Sequence, residues 1–516
     1  MDGAGAGRSG SGALRLYVVE KIREFAERTP DAPALIADLQ PVSYRAFDRA
    51  IGAMRRRLAA ESGLGPRSTV VCLIDPLPLA WIADLALRSL GHATIALRSA
   101  SELAALRGLR IAALATGEGQ ARVEAGGVLG PDVARIEVGP DLLAAGDGPA
   151  SAAAEPDAGA PGAHVLLTSA TTGRYKLVQL AVESEDSQRE EHRQLYLSSG
   201  ANLRDDRDAL CVHLMNLGLW TAGGYNTPLL AWSRGGCAVF HQGREAHRSF
   251  ALPALTHAIA TPAYLAELVR SAPGALARND ALQIITVGGT PSLSLLGELR
   301  ARLTSRIATA LGSTESGTWA VTAIETADDL RWHRLHPARR IEVVDDEDRP
   351  VGQGVLGRVR VRLTNGVTGY LNDAAASAAV FRDGWFYPGD LGVLDGRGRL
   401  ALMGRTTEVL EVLGEKRPAA PLEEALGRAL GLDGVCVLAE RGANLEDELH
   451  VVLETPTPIE PALLDHAAQA HVRGFARVHF HFLERLPRNH MGKIERLKLK
   501  QSLLRRRAAA DPRAAG

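Results

Sequence analysis

Aromatic residues are scarce, at 4% of the 516 positions, and there are only four cysteines. Cys72, Cys211, Cys237 and Cys436 stand far apart, with no CxxC pair. That spacing argues against a disulfide framework and against a cysteine-based zinc site, and it fits a reducing cytoplasm. Neither charge sign prevails: 59 Lys and Arg face 60 Asp and Glu, a formal net charge of −1. No global field draws the chain to nucleic acid or to an anionic membrane, so neither is expected as a partner. Long apolar runs are also missing. The stretch from Leu77 to Leu87 is interrupted by Asp84 and followed by Arg88, too short for a membrane span. The opening "MDGAGAGRSGSGALRL" has no basic region followed by an apolar core, so no signal peptide is expected.

Two further absences narrow the chemistry. A dinucleotide-binding oxidoreductase needs GxGxxG between a strand and a helix; "GAGAG" at 3 to 7 precedes any strand. A metal hydrolase needs clustered ligands. His479 and His481 alternate on a strand-like run, and His333 and His336 are close, but no matching acidic set accompanies them in the sequence.

What is present reads as a multidomain α/β protein. The length exceeds what one compact core usually holds. Hydrophobic residues at 46% and charged residues at 23% are ordinary for a globular chain. "LYVVEKIREFAER" has helical spacing and ends at Thr29-Pro30. "STVVCLI" and "ATIAL" read as buried strands with "LAWIADLALRSLG" as the helix between them, a β-α-β unit that predicts a parallel sheet. "LQIITVGG" and "SLLGELRARL" continue the pattern. From about Arg339 short alternating strands with Gly and Asp turns predict a β-rich section, and a compact α/β tail follows. "ESEDSQREEHRQLYL" reads as a charged, solvated helix with a plain surface.

The most informative stretch is "LLTSATTGRYKLVQL", 166 to 180. A strand, then a loop rich in hydroxyls with one glycine, then a lysine, suits phosphate, because N–H and O–H groups donate and lysine adds a point charge. It does not match GxxxxGK[ST]. Taken alone it reads equally well as a Thr-rich strand-to-helix turn with ordinary caps.

Other segments decide between those readings. "TSATTGRYK" resembles TSGTTGxPK. "VGGTP" (287 to 291) resembles GGxP, and "LGSTES" (311 to 316) resembles YGxTE. "GWFYPGDLGVLDGRGRLALMGR" (384 to 405) resembles GWFxTGDxGxxDxDGxLxxxGR, and "LPRNHMGKIER" (486 to 496) resembles LPRTxxGKIxR. In this order, over residues 15 to 505, they resemble the acyl-adenylate-forming superfamily of acyl- and aryl-CoA synthetases, peptide-synthetase adenylation domains and luciferases. The look is most similar to stand-alone aryl-acid adenylating enzymes and aryl-CoA ligases.

That resemblance implies a large N-terminal α/β domain of several sheets with a β-rich section, spanning 14–404. A small mobile α+β C-terminal domain would follow over 405–505, between disordered ends at 1–13 and 506–516. It implies ATP and Mg²⁺. A carboxylate attacks the α-phosphate, pyrophosphate leaves, and a thiol or amine then displaces AMP from the acyl adenylate. Thr168, Ser169, Thr171, Thr172 and Lys176, with Gly173, would hold the β- and γ-phosphates. Gly289, Thr290, Leu311, Gly312 and Thr314 would flank the nucleotide, and Glu315 would ligate Mg²⁺. Asp390 would accept from the ribose hydroxyls, helped by the turn at Pro388-Gly389. Arg405 would support ribose or phosphates just before the hinge, near Thr407. Lys493 would come from the C-terminal domain to the α-phosphate.

Departures from the pattern are Ala170, Tyr175 and Leu177 for Gly, Pro and Gly, and Leu311 for the aromatic that covers adenine. The acid pocket would include Asn216, Leu217, Gly288, Gly289 and Ser313. No Asp lies in "HLMNLGLWTAGG" to pair an α-ammonium, which disfavours an α-amino acid. Asn216 falls where aryl-acid-activating members carry an Asn for a ring hydroxyl, and "LGEKRPAA" resembles their GEKVAAEE. An aromatic or heteroaromatic acid is therefore expected; Asn216 as a turn cap is the competing reading. Ala222, Gly223 and Gly224 either make room for a ring or let backbones pack. Coenzyme A, a separate carrier protein and a small amine stay open as acceptors. An amino-acid- or fatty-acid-activating ligase, or a non-catalytic nucleotide-binding homologue, remains the rival reading.

Overall fold

The computed structural model describes residues 16–118, 129–130, 132–144, 160–168, 175–183, 185, 189, 192–193, 210–272, 274, 276, 278–412, 415–441, 447–489 and 492–510. Its contacts divide the chain into two compact units. One comprises 1–197, 201–259 and 365–375; the other comprises 198–200, 260–364 and 376–516. Among the described residues no helix is long and apolar enough to cross a membrane.

The first unit contains the predicted β-α-β element. Strands Thr69–Leu73 and Ala93–Ala96 pair in parallel around helix Leu77–Ser89, every residue of which is buried. Complete burial explains why that helix has no polar face in the sequence. They belong to a six-stranded sheet ordered Ala134–Val138, Ala113–Gly117, Thr69–Leu73, Ala93–Ala96, His164–Thr168 and Lys176–Leu180. All its pairings are parallel except the last. Strands Cys211–Leu214, Cys237–Phe240 and His257–Ala260 also pair in parallel, with Pro33–Ala37 beside Cys237–Phe240. Some of the few aromatics meet in the core: Trp232 packs edge-on against Trp81 at 4.9 Å and lies 5.0 Å from Phe47. Such residues bury the most apolar area per side chain, so a chain poor in them gains most by placing them in the core.

The second unit holds strands Gln283–Val287, Ile307–Ser313 and Gly317–Ala323, with helix Leu293–Arg302. It also holds the predicted β-rich section, a seven-stranded sheet around Gly357–Arg362, Asp390–Leu394 and Arg399–Arg405. The tail forms a hairpin of Val409–Val412 with Glu415–Pro418, then a three-stranded sheet of Val435–Arg441, Asp447–Glu454 and Arg477–Leu483.

Three expectations need correction. Lys176 opens a strand, Lys176–Leu180, antiparallel to His164–Thr168, so the reading of 166 to 180 as a strand-to-helix turn does not hold. The charged segment after it is not a plain surface. Glu185 is 2% exposed and accepts hydrogen bonds from Arg88 and Tyr225, partners far away in sequence. The last helix, Arg496–Ala510, runs five residues into the tail expected to be disordered, as its Leu, Arg and Ala content favours. Residues 1–13 lie outside the described residues.

Candidate active site

In the first unit, Thr168 ends a fully buried strand and Lys176 begins its partner. Backbone pairing therefore sets Thr168 and Lys176 side by side. Ser169, Thr171, Thr172 and Gly173 lie outside the described residues. The Lys176 ammonium rests 4.6 Å from the centre of the Tyr370 ring. Tyr370 carried no signal in the sequence; only the fold brings it under the lysine. Asn216 is partly exposed and Leu217 is buried, both just past strand Cys211–Leu214. Of the two roles considered for the small residues after them, Gly224 takes backbone packing. A Cβ there would stand 2.3 Å from the Gly218 carbonyl oxygen.

The second unit gathers the rest. Gly288 follows strand Gln283–Val287 at φ +78, a conformation that favours glycine, and leads to exposed Gly289 and Thr290. Leu311 is half-buried and packs on the cluster of Trp319, Val343 and Leu400. Gly312 is required by its hairpin, because a Cβ there would stand 2.4 Å from the Gly317 oxygen. The Ser313 hydroxyl lies 2.9 Å from that of Ser316 and accepts from its N–H, while Ser316 accepts from the Trp319 indole at 2.8 Å. This turn carries Thr314 and Glu315, the latter 8% exposed. Ser313 thus spends its hydroxyl on shaping the turn.

Asp390 and Arg405 are brought together by sheet register, being cross-strand partners in neighbouring antiparallel strands. Arg405 Nε stands 3.1 Å from Asp390 Oδ1, and its Nη1 donates to the Pro388 carbonyl at 2.5 Å. Gly389, at φ +79, makes the turn that presents Asp390. Burial pushes the Asp390 carboxyl above its ordinary 3.8. Arg405 and Lys493 pull it down, Glu408 and Glu315 push it up, and the net shift is upward.

Lys493 is tied to Asn489 through its backbone. Its N–H donates to Asn489 Oδ1 at 3.0 Å, its carbonyl accepts from Asn489 N at 2.9 Å, and Gly492 adopts φ +80. The residue is open to solvent, yet the surrounding protein removes enough water to lower its pKa from 10.5. Arg405 lowers it further, while Asp390, Glu408 and Glu315 oppose the shift. Lys493, Asp390, Glu315 and Arg405 therefore share one electrostatic neighbourhood. Three residues on, Arg496 bonds Glu423 at 2.6 Å and the Val437 carbonyl at 3.1 Å, and pairs with Glu408 at 3.3 Å. Glu408 was missed in the sequence because its importance comes only from the cations that the fold places beside it.

Two buried carboxylates, an arginine and a lysine in one neighbourhood suit a ligand that carries both negative charge and hydroxyl donors. The chain belongs to the AMP-binding enzyme family, whose model matches residues 22–371. Indoleacetate–CoA ligase of Aromatoleum aromaticum is 30% identical over 309 residues, 57% of this chain and 59% of that protein. The chain spans 59% or less of the length of the first curated relatives it matches. O-succinylbenzoate coenzyme A synthetase of Bacillus subtilis, in complex with AMP, superposes with a TM-score of 0.77 at 23% identity, over 95% of this chain and 98% of that one. The amide bond synthetase of Marinactinospora thermotolerans gives 0.75 at 20% identity, over 94% and 99%. At those identities the likeness establishes the fold, a mixed α/β architecture with several sheets.

Proposed function

We propose that this protein is an adenylate-forming ligase that activates an aromatic or heteroaromatic carboxylic acid with ATP and passes the acyl group to coenzyme A or an amine. A separate carrier protein is a further candidate acceptor. The observation that carries this reading is the shared neighbourhood of Lys493, Asp390, Glu315 and Arg405. Membership of the AMP-binding family supports it, as do relatives named for an indoleacetate–CoA ligation and for amide bond synthesis.

In the first half-reaction an acid carboxylate attacks the α-phosphate and pyrophosphate leaves, so two anions must meet. The Lys493 ammonium offsets the charge that develops there, and Arg405 adds a fixed positive group. Asp390 is a buried carboxylate beside Arg405, an acceptor of the kind that suits ribose hydroxyls. Thr168 and Lys176 anchor the loop for the β- and γ-phosphates. Glu315 is a buried carboxylate beside these cations, and it fits a hard divalent cation such as Mg²⁺. Bound there, Mg²⁺ would neutralise phosphate charge. Asn216 would orient the acid. Residues 405–505 would form a mobile body that delivers Lys493 for the first half-reaction and withdraws it for the second. A cytoplasmic setting and a role in secondary metabolite biosynthesis complete the proposal.

The test is acid-dependent ATP–pyrophosphate exchange across benzoates, heteroaryl acids, fatty acids and amino acids. Exchange with one aryl class is the expected result. Exchange with fatty or amino acids instead would remove the role given to Asn216. Binding of ATP without exchange for any acid would favour the non-catalytic homologue.

A further inference from the structure

The three-stranded sheet near the C-terminus has two different faces. Leu449, Val451 and Leu453 alternate into an apolar cluster, joined by Val478, Phe480 and Phe482 of the neighbouring strand. The opposite face carries Glu448 and His450 on the middle strand, His479 and His481 on one neighbour, and Glu440 on the other. Parallel register puts His450 opposite His479, so their rings stack 4.8 Å apart; His450 and His481 stack at 5.2 Å. The sequence showed only the two alternating histidines. The acidic partners come from other strands, which is why no ligand set was visible there.

Glu448 and His450 are 8% and 2% exposed, while His479 keeps about a third of its side chain open. One donor atom from each of these three lies within 4.8 Å of the others. The surrounding bonds favour ligation. His450 Nδ1 meets His481 Nε2 at 2.9 Å, so a second histidine holds the His450 ring. His450 Nε2 stands 3.7 Å from Glu440, whose own charge is matched by Lys500 at 3.6 Å. His479 Nε2 and Glu448 Oε2 lie 3.0 Å apart, each on the atom that an ion would take.

We propose that Glu448, His450 and His479 bind a divalent cation of the zinc class, with His481 orienting His450 from outside. Two imidazoles and one carboxylate select borderline transition-metal ions over Mg²⁺, which prefers an all-oxygen shell. Tetrahedral ligands at ~2.1 Å from zinc stand roughly 3.4 Å apart, so a small rotation of half-open His479 closes the set. The open side of His479 leaves a coordination position for water. Such an ion would tie the two parallel strands together and would compete with protons for the imidazoles.

The test uses the full-length protein, stripped with a chelator and titrated with Zn²⁺ by calorimetry and with Co²⁺ by visible absorption. One equivalent is expected, with Co²⁺ bands typical of nitrogen and oxygen ligands. Millimolar Mg²⁺ should not displace it. His479→Ala, at the exposed position, should weaken affinity at least about 10–100-fold, and His481→Ala about 10-fold. Glu448→Gln keeps the volume and provides a second ligand variant if His479→Ala folds poorly. Zn²⁺ should raise the melting temperature of the parent protein and not that of His479→Ala. Equal binding by parent and both ligand variants, or no binding at micromolar ion, overturns the proposal.

Discussion

Asp84 and Asp390 are both buried aspartates with arginine neighbours, yet their environments pull in opposite directions. Burial raises the pKa of each. For Asp84, His164, Arg88 and the Thr94 hydroxyl more than reverse that push, and the net shift from 3.8 is downward. His164 Nδ1 lies 3.0 Å away and Thr94 donates at 2.6 Å. Arg88 in turn bonds Glu185 and Tyr225, and the Tyr225 ring lies flat on His164 at 4.1 Å. That network is sealed in the first unit: Asp84, Arg88 and His164 are each 0% exposed. Asp390, with Arg405 at 3.1 Å and two further carboxylates nearby, keeps a raised pKa. Buried charge alone does not define a site. At Asp84 the neighbouring His164, Arg88 and Thr94 outweigh burial, although its Oδ2 has no hydrogen-bond partner among the described residues, whereas at Asp390 burial and two carboxylates outweigh Arg405 and Lys493.

The comparison breaks most readily at Arg88. Arg88→Met leaves Glu185 buried without its cation, and unfolding free energy should drop by about 3–5 kcal/mol. Denaturant titration measures this, and exchange per folded molecule should stay intact. If stability holds, the network is not the structural element described. Next in size is Lys493→Ala, which should cut acid-dependent exchange on the order of 10²–10³-fold. Transfer from supplied acyl adenylate should be comparatively spared; equal loss in both halves counts against the assigned role.

Asp390→Asn sharpens the contrast. Loss of charged hydrogen bonds to ribose should weaken ATP binding about 10–100-fold, corresponding to about 1.5–3 kcal/mol. The unliganded variant should nonetheless be at least as stable as the parent at neutral pH. A folded pKa above 3.8 means ionising Asp390 costs stability as pH rises through the interval between 3.8 and the raised value. Asp84 has the opposite sign: its stabilisation is present above 3.8 and lost as pH falls through its lowered value. The smallest expected effect concerns pH and rate. Burial lowers the Lys493 pKa, so the basic limb of the exchange profile should fall below pH 10.5, and Lys493→Arg should move it upward. An unmoved limb would assign it to another group.

Much of this architecture was legible because it is written locally. The helix Leu77–Ser89 between two short strands, and the glycine turns before Asp390 and Lys493, are matters of period and φ. Ordered motifs pointed to Asp390, Arg405, Glu315 and Lys493, and the fold placed these in one neighbourhood. What stayed hidden depends on register and distance in sequence. Glu185 read as surface because its partner Arg88 is 97 residues away. Tyr370 meets Lys176 only through the fold. Glu448 joins His479 across a strand pairing that no spacing rule reports.

Arg496 gives Lys493 a particular mechanical character. Its guanidinium holds Glu408, Glu423 and the Val437 carbonyl, and Asn489 accepts from the Lys493 N–H. Lys493 is thus mounted on a hydrogen-bonded bracket. In the proposed two-orientation cycle, the charge arrives and departs with its carrier as a single piece. Its schedule is then that of a domain swing, microseconds to milliseconds, and not the picosecond-to-nanosecond rotamer clock of a free lysine. Loosening the bracket would leave every reacting group in place and still blur the moment at which they meet.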